Sequence, residues 1–419
     1  MNAKTLYALI GAAIVALLAA VLINSSKKPQ SDTAAQAQRL LPELQGHVND
    51  VGAITLTGAD NKVLATLKRG ADGWTVAEKA NYPADVAKIR EFILKLDQAT
   101  LIEQKTANDK RYAELGVDDI KDKDAKGVQV ELAGLEKPVK LIVGNFNGGG
   151  GGGTFVRRAD DPQSWLASGN LTVAKNTADW ERRDLTDIAA ARLQSVTLTS
   201  PDGKVLKAAK QQRGDANFKV ADVPAGREAS SEFVANGLGS VLANLRADDA
   251  APAKDMAPPE KVHKAQYAAF DGLVVDVTAW DKDGKDYAQF AAHLDTAAAN
   301  ADIDSEQARA KTDYEAAVVA ANKKVADEKS TTGKDAEANA KAASEVPKPL
   351  AVSDAAKDRA DKLDALNKEI ETLNKTFSGW TFAIPSYKFT DMSKSMDDML
   401  KPLEQKKPED AKKPAPRKK

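Results

Sequence analysis

Polar and apolar positions change rhythm several times along this chain, and each change marks an element. Leu6 to Ile23 is apolar and uncharged throughout, with Lys4 before it and Lys27-Lys28 after it. Roughly 18 residues at about 1.5 Å rise nearly cover a ~30 Å hydrocarbon core, so the run reads as one membrane-spanning helix. A cleaved signal peptide has a shorter apolar stretch with a small-x-small site directly after it. Here Asn24-Ser25-Ser26 follows instead, and Ala35-Gln36-Ala37 lies well downstream. Positive residues on both flanks leave the orientation undecided.

Beyond a polar, Ala/Gln-rich tether the rhythm turns to alternation. Val51–Thr57 and Lys62–Lys68 read as strands about a Gly-Ala-Asp-Asn turn, followed by Trp74-Thr75-Val76. Val86, Ile89, Phe92, Ile93 and Leu96 then recur at three- and four-residue spacing, the apolar face of a helix. Strands at Val128–Leu132, Val139–Val143 and Thr154–Arg157 follow, and Asp161-Pro162 is expected to open a short helix through Trp165 and Leu166.

Much of this pattern is stated twice. Ile54-Thr55-Leu56-Thr57 with Asp60-Asn61-Lys62-Val63-Leu64 answers to Val196-Thr197-Leu198-Thr199 with Asp202-Gly203-Lys204-Val205-Leu206, an offset of 142 residues. Trp74-Thr75-Val76 answers to Phe218-Lys219-Val220, and Gly127–Leu132 to Gly272–Val277. A period this long is a duplicated domain-sized unit rather than a solenoid repeat. The second copy is expected to carry a helix with Phe233, Leu238, Val241, Leu242 and Leu245, then strands at Leu273–Trp280 and Asp286–Phe290. Its closing strand resumes at Gly379–Pro385, with a helix-like stretch at Asp391–Leu400.

Between these parts, Ala297 to Thr376 is rich in Ala, Lys, Asp and Glu. Leu363, Leu366, Ile370, Leu373 and Phe377 step by three and four as a heptad seam, and Ala310, Tyr314, Ala317, Ala321 and Val325 form a weaker one. Ser330–Gly333 and Pro347-Lys348-Pro349 interrupt them, as an antiparallel helical hairpin requires. An arm of ~25 residues would project about 37 Å. The alanine stripe covers little area, so Leu363, Leu366, Ile370 and Leu373 are the candidate contact with another subunit or a second copy of the chain. The fold class is α+β: two tandem duplicated modules with antiparallel sheets and packed helices, a coiled-coil-like helical hairpin inserted in the second, and one N-terminal transmembrane helix. The expected boundaries are 1–28 anchor, 29–48 tether, 49–190 first module, 191–295 with 377–400 second module, 296–376 insert and 401–419 a disordered Lys/Pro-rich tail.

Composition narrows the chemistry. With 60 Lys+Arg against 61 Asp+Glu over 419 residues, no global field attracts nucleic acid, and the absence of Cys excludes disulfides and thiolate sites. The run Gly148–Gly153 leads into a strand and lacks the Gly-Lys-Ser/Thr ending of a phosphate-binding loop. Asp281–Asp286 places its Gly fourth and Ala292 at position twelve, so it reads as a hairpin turn and not a calcium loop. Asp118, Asp119, Asp122 and Asp124 read as a solvated acidic turn. Ser25–Lys28 is a chance Ser-x-x-Lys match. His47, His263 and His293 are scattered, whereas zinc needs three or four converging ligands. Trp74 with Tyr82, and Trp380 with Tyr387, read first as core aromatics. No cofactor, metal or catalytic residue is expected.

The strand-turn-strand ending at Trp74, the segment Tyr112-Ala113-Glu114-Leu115-Gly116-Val117 and the strand Leu141-Ile142-Val143-Gly144 carry a resemblance. Thr154-Phe155-Val156-Arg157, Trp165-Leu166 and Trp180-Glu181-Arg182-Arg183-Asp184-Leu185 complete it. On these residues the chain resembles the bacterial domain-of-unknown-function 4340 family, over most of 50–295 and again at 379–390. Asp118-Asp119-Ile120 departs from the family's usual proline, and the long insert is not a family feature. The resemblance implies one N-terminal membrane segment, a body outside the cytoplasm at the bacterial inner membrane, and an accessory role beside ABC transporter components of the gliding-motility type. The expected partners are therefore the bilayer through Leu6–Ile23, a permease or auxiliary subunit, and self-association through the insert. The expected function is a non-enzymatic accessory or scaffold protein. The alternative is a periplasmic module binding glycan or lipid without catalysis.

Overall fold

The computed structural model describes residues 38–149, 152–329 and 346–403. The Leu6–Ile23 run, the Ser330–Gly333 turn, Gly150-Gly151 and the tail from 404 lie outside them. No helix among the described residues is long and apolar enough to cross a membrane. The protein is a mixed α/β structure with antiparallel sheets, divided into one unit ending at Glu181 and another beginning at Arg182.

The described residues of unit 1 contain nine strands: β1 (Ala53–Thr57), β2 (Val63–Gly70), β3 (Gly73–Val76), β4 (Tyr82–Pro83), β5 (Leu101–Gln104), β6 (Val128–Ala133), β7 (Val139–Asn147), β8 (Gly153–Arg158) and β9 (Ser164–Ser168). They form one sheet in the order β4-β3-β2-β1-β6-β7-β8-β9-β5. Helix α1 (Val86–Gln98) begins where the Asp85 carboxylate accepts from the Lys88 amide at 2.9 Å. It buries Ile89, Phe92, Ile93 and Leu96 as their spacing requires, each contributing about 1.5–3 kcal/mol of apolar burial. Two expectations are corrected. Trp165 and Leu166 lie in strand β9, not in a helix. Leu40, Leu41 and Leu44 are buried in the unit 1 core, so the chain from Gln38 is part of the fold and not a tether.

Unit 2 contains β10 (Asp184–Thr186), β11 (Leu193–Thr199), β12 (Val205–Ala209), β13 (Lys219–Val220), β14 (Arg227–Ala229), β15 (Leu245–Arg246), β16 (Asp249–Pro252), β17 (His263–Ala269), β18 (Leu273–Lys282), β19 (Lys285–Leu294), β20 (Trp380–Ala383) and β21 (Leu400–Pro402). Its main sheet runs β13-β12-β11-β17-β18-β19-β20-β16, and β10-β15 and β14-β21 are two-stranded. Beyond the extra edge strand β4, the two main sheets have the same succession of neighbours. Ile54 stands opposite Leu132, and Val196 opposite Tyr267. The counterpart of β6 is therefore β17. Gly272–Val277 matches β6 in its alternating pattern, but Leu273–Val277 belongs to the next strand along.

The second helix expected around Phe233–Leu245 reduces to one turn at Asn236–Gly239. Phe233 is 59% exposed, and Leu245 belongs to β15. Gly237 and Gly239 carry the low helix propensity that ends it. The long helices come later: α2 (Thr296–Lys329), α3 (Ala355–Phe377) and the shorter α4 (Ser386–Met392). The stretch Asp391–Leu400 is the end of α4, a single turn at Met396–Met399 and the start of β21.

Candidate functional site

The stripe singled out on the insert lies along α3, and its surroundings differ from the expected ones. Helices α2 and α3 run antiparallel, but their bonds gather at the start of α3. Gln307 Nε2 donates to the Ala355 carbonyl and the Asp358 carboxylate, Arg359 donates to Asn300 at 2.7 Å and to Asp304, and Lys362 meets Glu306 at 3.0 Å. From Leu363 onward the partners are in β19 and in the turns that lead into β11 and β18. Arg192 holds Glu369 bidentately at 2.6 and 2.8 Å and Asp271 at 2.7 Å. The hydrogen bonds that Arg192 donates to Glu369, joined by that to Asp271, raise its pKa against the opposing effect of burial.

Asn374 bonds both the amide and the carbonyl of Ala292, at 2.9 and 2.8 Å, and the Phe377 ring lies 5.3 Å from that of Phe290. Leu363, Leu366, Ile370 and Leu373 are half-buried along this length of α3. Ala310, Ala317 and Ala321 do not face them. Residues 307–315 of α2 instead flank a groove of about 560 Å³ shared with Lys348, Ala351, Val352 and Ala355. Beyond that groove Ala316, Ala317, Val319 and Ala320 are exposed, Val319 by 67%.

A second concavity lies wholly in unit 1. It measures about 230 Å³ and is lined by Leu40, Pro42, Leu101, Val156 and Trp165, with Arg39, Arg157 and Arg158 around them. Arg158 pairs with Glu43. Burial raises the Glu43 pKa, but the hydrogen bond and charge of Arg158 outweigh it and leave a net depression. Arg157 is buried against Asp119 and the Val117 carbonyl, with its guanidinium 4.5 Å from the Tyr112 ring centre. Arg39 is the most exposed of the three, at 39%; it donates to the Asp97 carbonyl at 2.8 Å and lies 3.7 Å from the Asp97 carboxylate.

Residues weighed for chemistry fall into structural roles. Asp283 and Gly284 take φ of 54° and 72° between paired Lys282 and Lys285, a two-residue hairpin turn. Asp119 serves Arg157. His47 pairs with Asp50, His293 with Asp276, and His263 lies edge-on to Phe389. Among the described residues no group of three or more His, Asp or Glu is placed to hold a metal. Tyr82 is fully buried and Trp74 packs against the core, whereas Tyr387 is 64% exposed.

Two of the segments that carried the family resemblance meet within unit 1. Tyr112–Val117 crosses β7 at Gly144, where a Cβ would lie 2.8 Å from the Gly116 carbonyl oxygen and closer still to that of Leu115. Only glycine fits this backbone approach. Tyr112, Val117 and Ile142 form a small cluster beneath it. Trp180 lies edge-on to Phe92 at 5.6 Å, and its carbonyl accepts from the Asp85 amide at 2.8 Å. Residues 74–264 match the family described as "Domain of unknown function (DUF4340)". That stretch belongs to the DUF4340 family. The DUF4340 stretch runs from β3 of unit 1 into β17 of unit 2, and the helices α2 and α3 lie outside it. No curated protein and no solved structure matches the chain.

Proposed function

We propose that this protein is a membrane-anchored, non-enzymatic accessory subunit of an envelope ABC-type transport system, with its body outside the cytoplasm. In this reading Leu6–Ile23 holds it in the bilayer, and two copies of one ancestral module form the body. The shared succession of strands supports the duplication. The helical insert is the docking arm, through which the chain meets a permease, an auxiliary subunit or a second copy of itself.

One observation carries the docking role. Helix α2 runs on to Lys329, fourteen residues or about 21 Å beyond Glu315 at the groove, and exposes the apolar side chains of Ala316, Ala317, Val319 and Ala320. Isolated helical segments of that length are marginal in water, and their stability in proteins comes from packing an apolar face. The outward side of α3 is polar, with Lys357–Asp361, Lys368–Asp364 and Lys375–Glu371 pairs one turn apart, so the exposed apolar stretch around Val319 of α2 is the sticky part of the arm. The test is co-purification from detergent-solubilised membranes, comparing the parent with a variant in which residues 304–362 are a short Gly/Ser linker. Loss of a transporter subunit from the variant supports the reading, and equal recovery from both overturns it.

A further inference from the structure

The succession of strands shared by the two units places residues of one at stations of the other. Leu141 stands opposite Arg158 in unit 1, and Val277 opposite Phe290 in unit 2. Val156 stands opposite Trp165, and Ala288 opposite Phe382. Counting outward from the pairs Ile54–Leu132 and Val196–Tyr267, Arg158 holds the station of Phe290, and Trp165 that of Phe382.

In unit 2 that place is filled by a helix. Phe377, at the end of α3, is buried beside Phe290, which in turn lies 6.1 Å from Phe382. Asn374 pins the helix to Ala292, and Arg192 grips Glu369 two turns before Phe377. In unit 1 the corresponding connection, from β8 to β9, is the short loop 159–163, and no helix follows it. The station of Phe377 is left as the 230 Å³ cleft over Trp165, which is only partly buried, whereas Phe382 is 0% exposed.

We propose that the unit 1 cleft is a docking seat for an amphipathic helix of a partner protein, carrying an aromatic anchor and a carboxylate on its flank. The apolar floor of Leu40, Leu101, Val156 and Trp165 takes the anchor, which is the usual way a helix fills a groove. Arg39 supplies the charge for the flank: it is the most exposed of the three guanidiniums, tied through one nitrogen, Nη1, to the Asp97 carbonyl, and a guanidinium binds a carboxylate through two parallel bonds, as Arg192 binds Glu369. This seat is independent of the arm, so the two readings stand or fall separately.

The probe is a fluorescein-labelled peptide of Leu363–Phe377, the helix that fits the corresponding place in unit 2, titrated into the full chain by anisotropy. Saturable binding is expected, with a change in Trp165 emission. Replacing the terminal Phe of the peptide by Ala should weaken it by about tenfold or more. Leu101→Glu in the protein should abolish binding, and Arg39→Glu, at a more exposed position, should weaken it by about tenfold in protein whose urea unfolding remains cooperative. Binding that Leu101→Glu and Arg39→Glu leave unchanged lies elsewhere and overturns the proposal, as does the absence of saturable binding. Light scattering on the same proteins provides the remaining check. A dimer of the parent that either variant dissociates makes the occupant a second copy and overturns the partner assignment.

Discussion

Replacing Phe377 by alanine asks whether α3 belongs to the arm or to the body. Phe377 is 2% exposed, and its ring lies against Phe290 at the heart of unit 2. Removing a buried phenylalanine side chain costs about 3–5 kcal/mol, the lost transfer energy plus the cavity left behind. For a unit of this size that is roughly 10 °C in melting temperature. With a urea dependence of about 2 kcal/mol/M, it is also roughly 2 M in midpoint. Urea unfolding is followed by circular dichroism and tryptophan fluorescence, in which Trp280 and Trp380 report unit 2 and Trp74, Trp165 and Trp180 report unit 1, whose transition should not move. Two linker variants complete the comparison. Replacing residues 304–362 keeps Ile303, Glu369, Asn374 and Phe377, and loop length itself changes the free energy only slowly, so that transition should stay close to the parent's. Replacing 297–376 removes Ala299, Ile303, Glu369 and Asn374, the first two of them buried, and should destroy it. A Phe377→Ala loss under about 1 kcal/mol, or a cooperative transition surviving the longer replacement, would refute the seating of α3 on the sheet.

Further outcomes follow from the same contacts. Gly144→Ala should destabilise unit 1 by about 1–3 kcal/mol in denaturant unfolding, because its Cβ meets backbone and not a movable side chain. Burial lowers the His263 pKa below its ordinary 6.5, so between 6.5 and the folded value the unfolded state holds more protons. Unit 2 should therefore lose stability as pH falls below about 6.5, and His263→Gln should flatten that dependence in melts taken across the range. Leu366→Lys combined with Ile370→Lys should cost unit 2 about 1–3 kcal/mol, since both positions are half-buried, whereas the exposed Val319→Glu should stay within about 0.5 kcal/mol and weaken only association. The protein should fractionate with membranes with its N-terminus retained, and protease added to spheroplasts should cleave the body; a body protected until lysis would sink the proposed role.

The parts of the fold legible in the sequence are those whose signals are local. Helix α1 has a capping Asp85 and an apolar residue at each proper step, and the hairpins around Asp60 and Asp202 have turn residues between alternating strands. The insert was visible as a change of composition. What stayed hidden depends on pairing. Val128–Leu132 and Leu273–Val277 share an alternating apolar pattern because both are central strands, and only the ladder shows that they occupy different places. Trp165-Leu166 is too short a run for periodicity to separate strand from helix. The seam on α3 fits a heptad equally well whether it faces another helix or a sheet, and Arg192, the residue that decides it, is 177 positions from Glu369. The unit 1 cleft draws Leu40, Leu101 and Trp165 from three distant segments, so no motif announces it.

The docking role of the arm is tested most directly by site-specific photocrosslinking in intact membranes. A photoreactive residue at Val319, 67% exposed on α2, is compared with one at Val205, 54% exposed on the sheet of the same unit. The account predicts a discrete light-dependent adduct from Val319, identified by mass spectrometry as a permease or auxiliary subunit of an ABC-type system or as a second copy of the chain, and none from Val205. No adduct from Val319, or the same products from both positions, would contradict it.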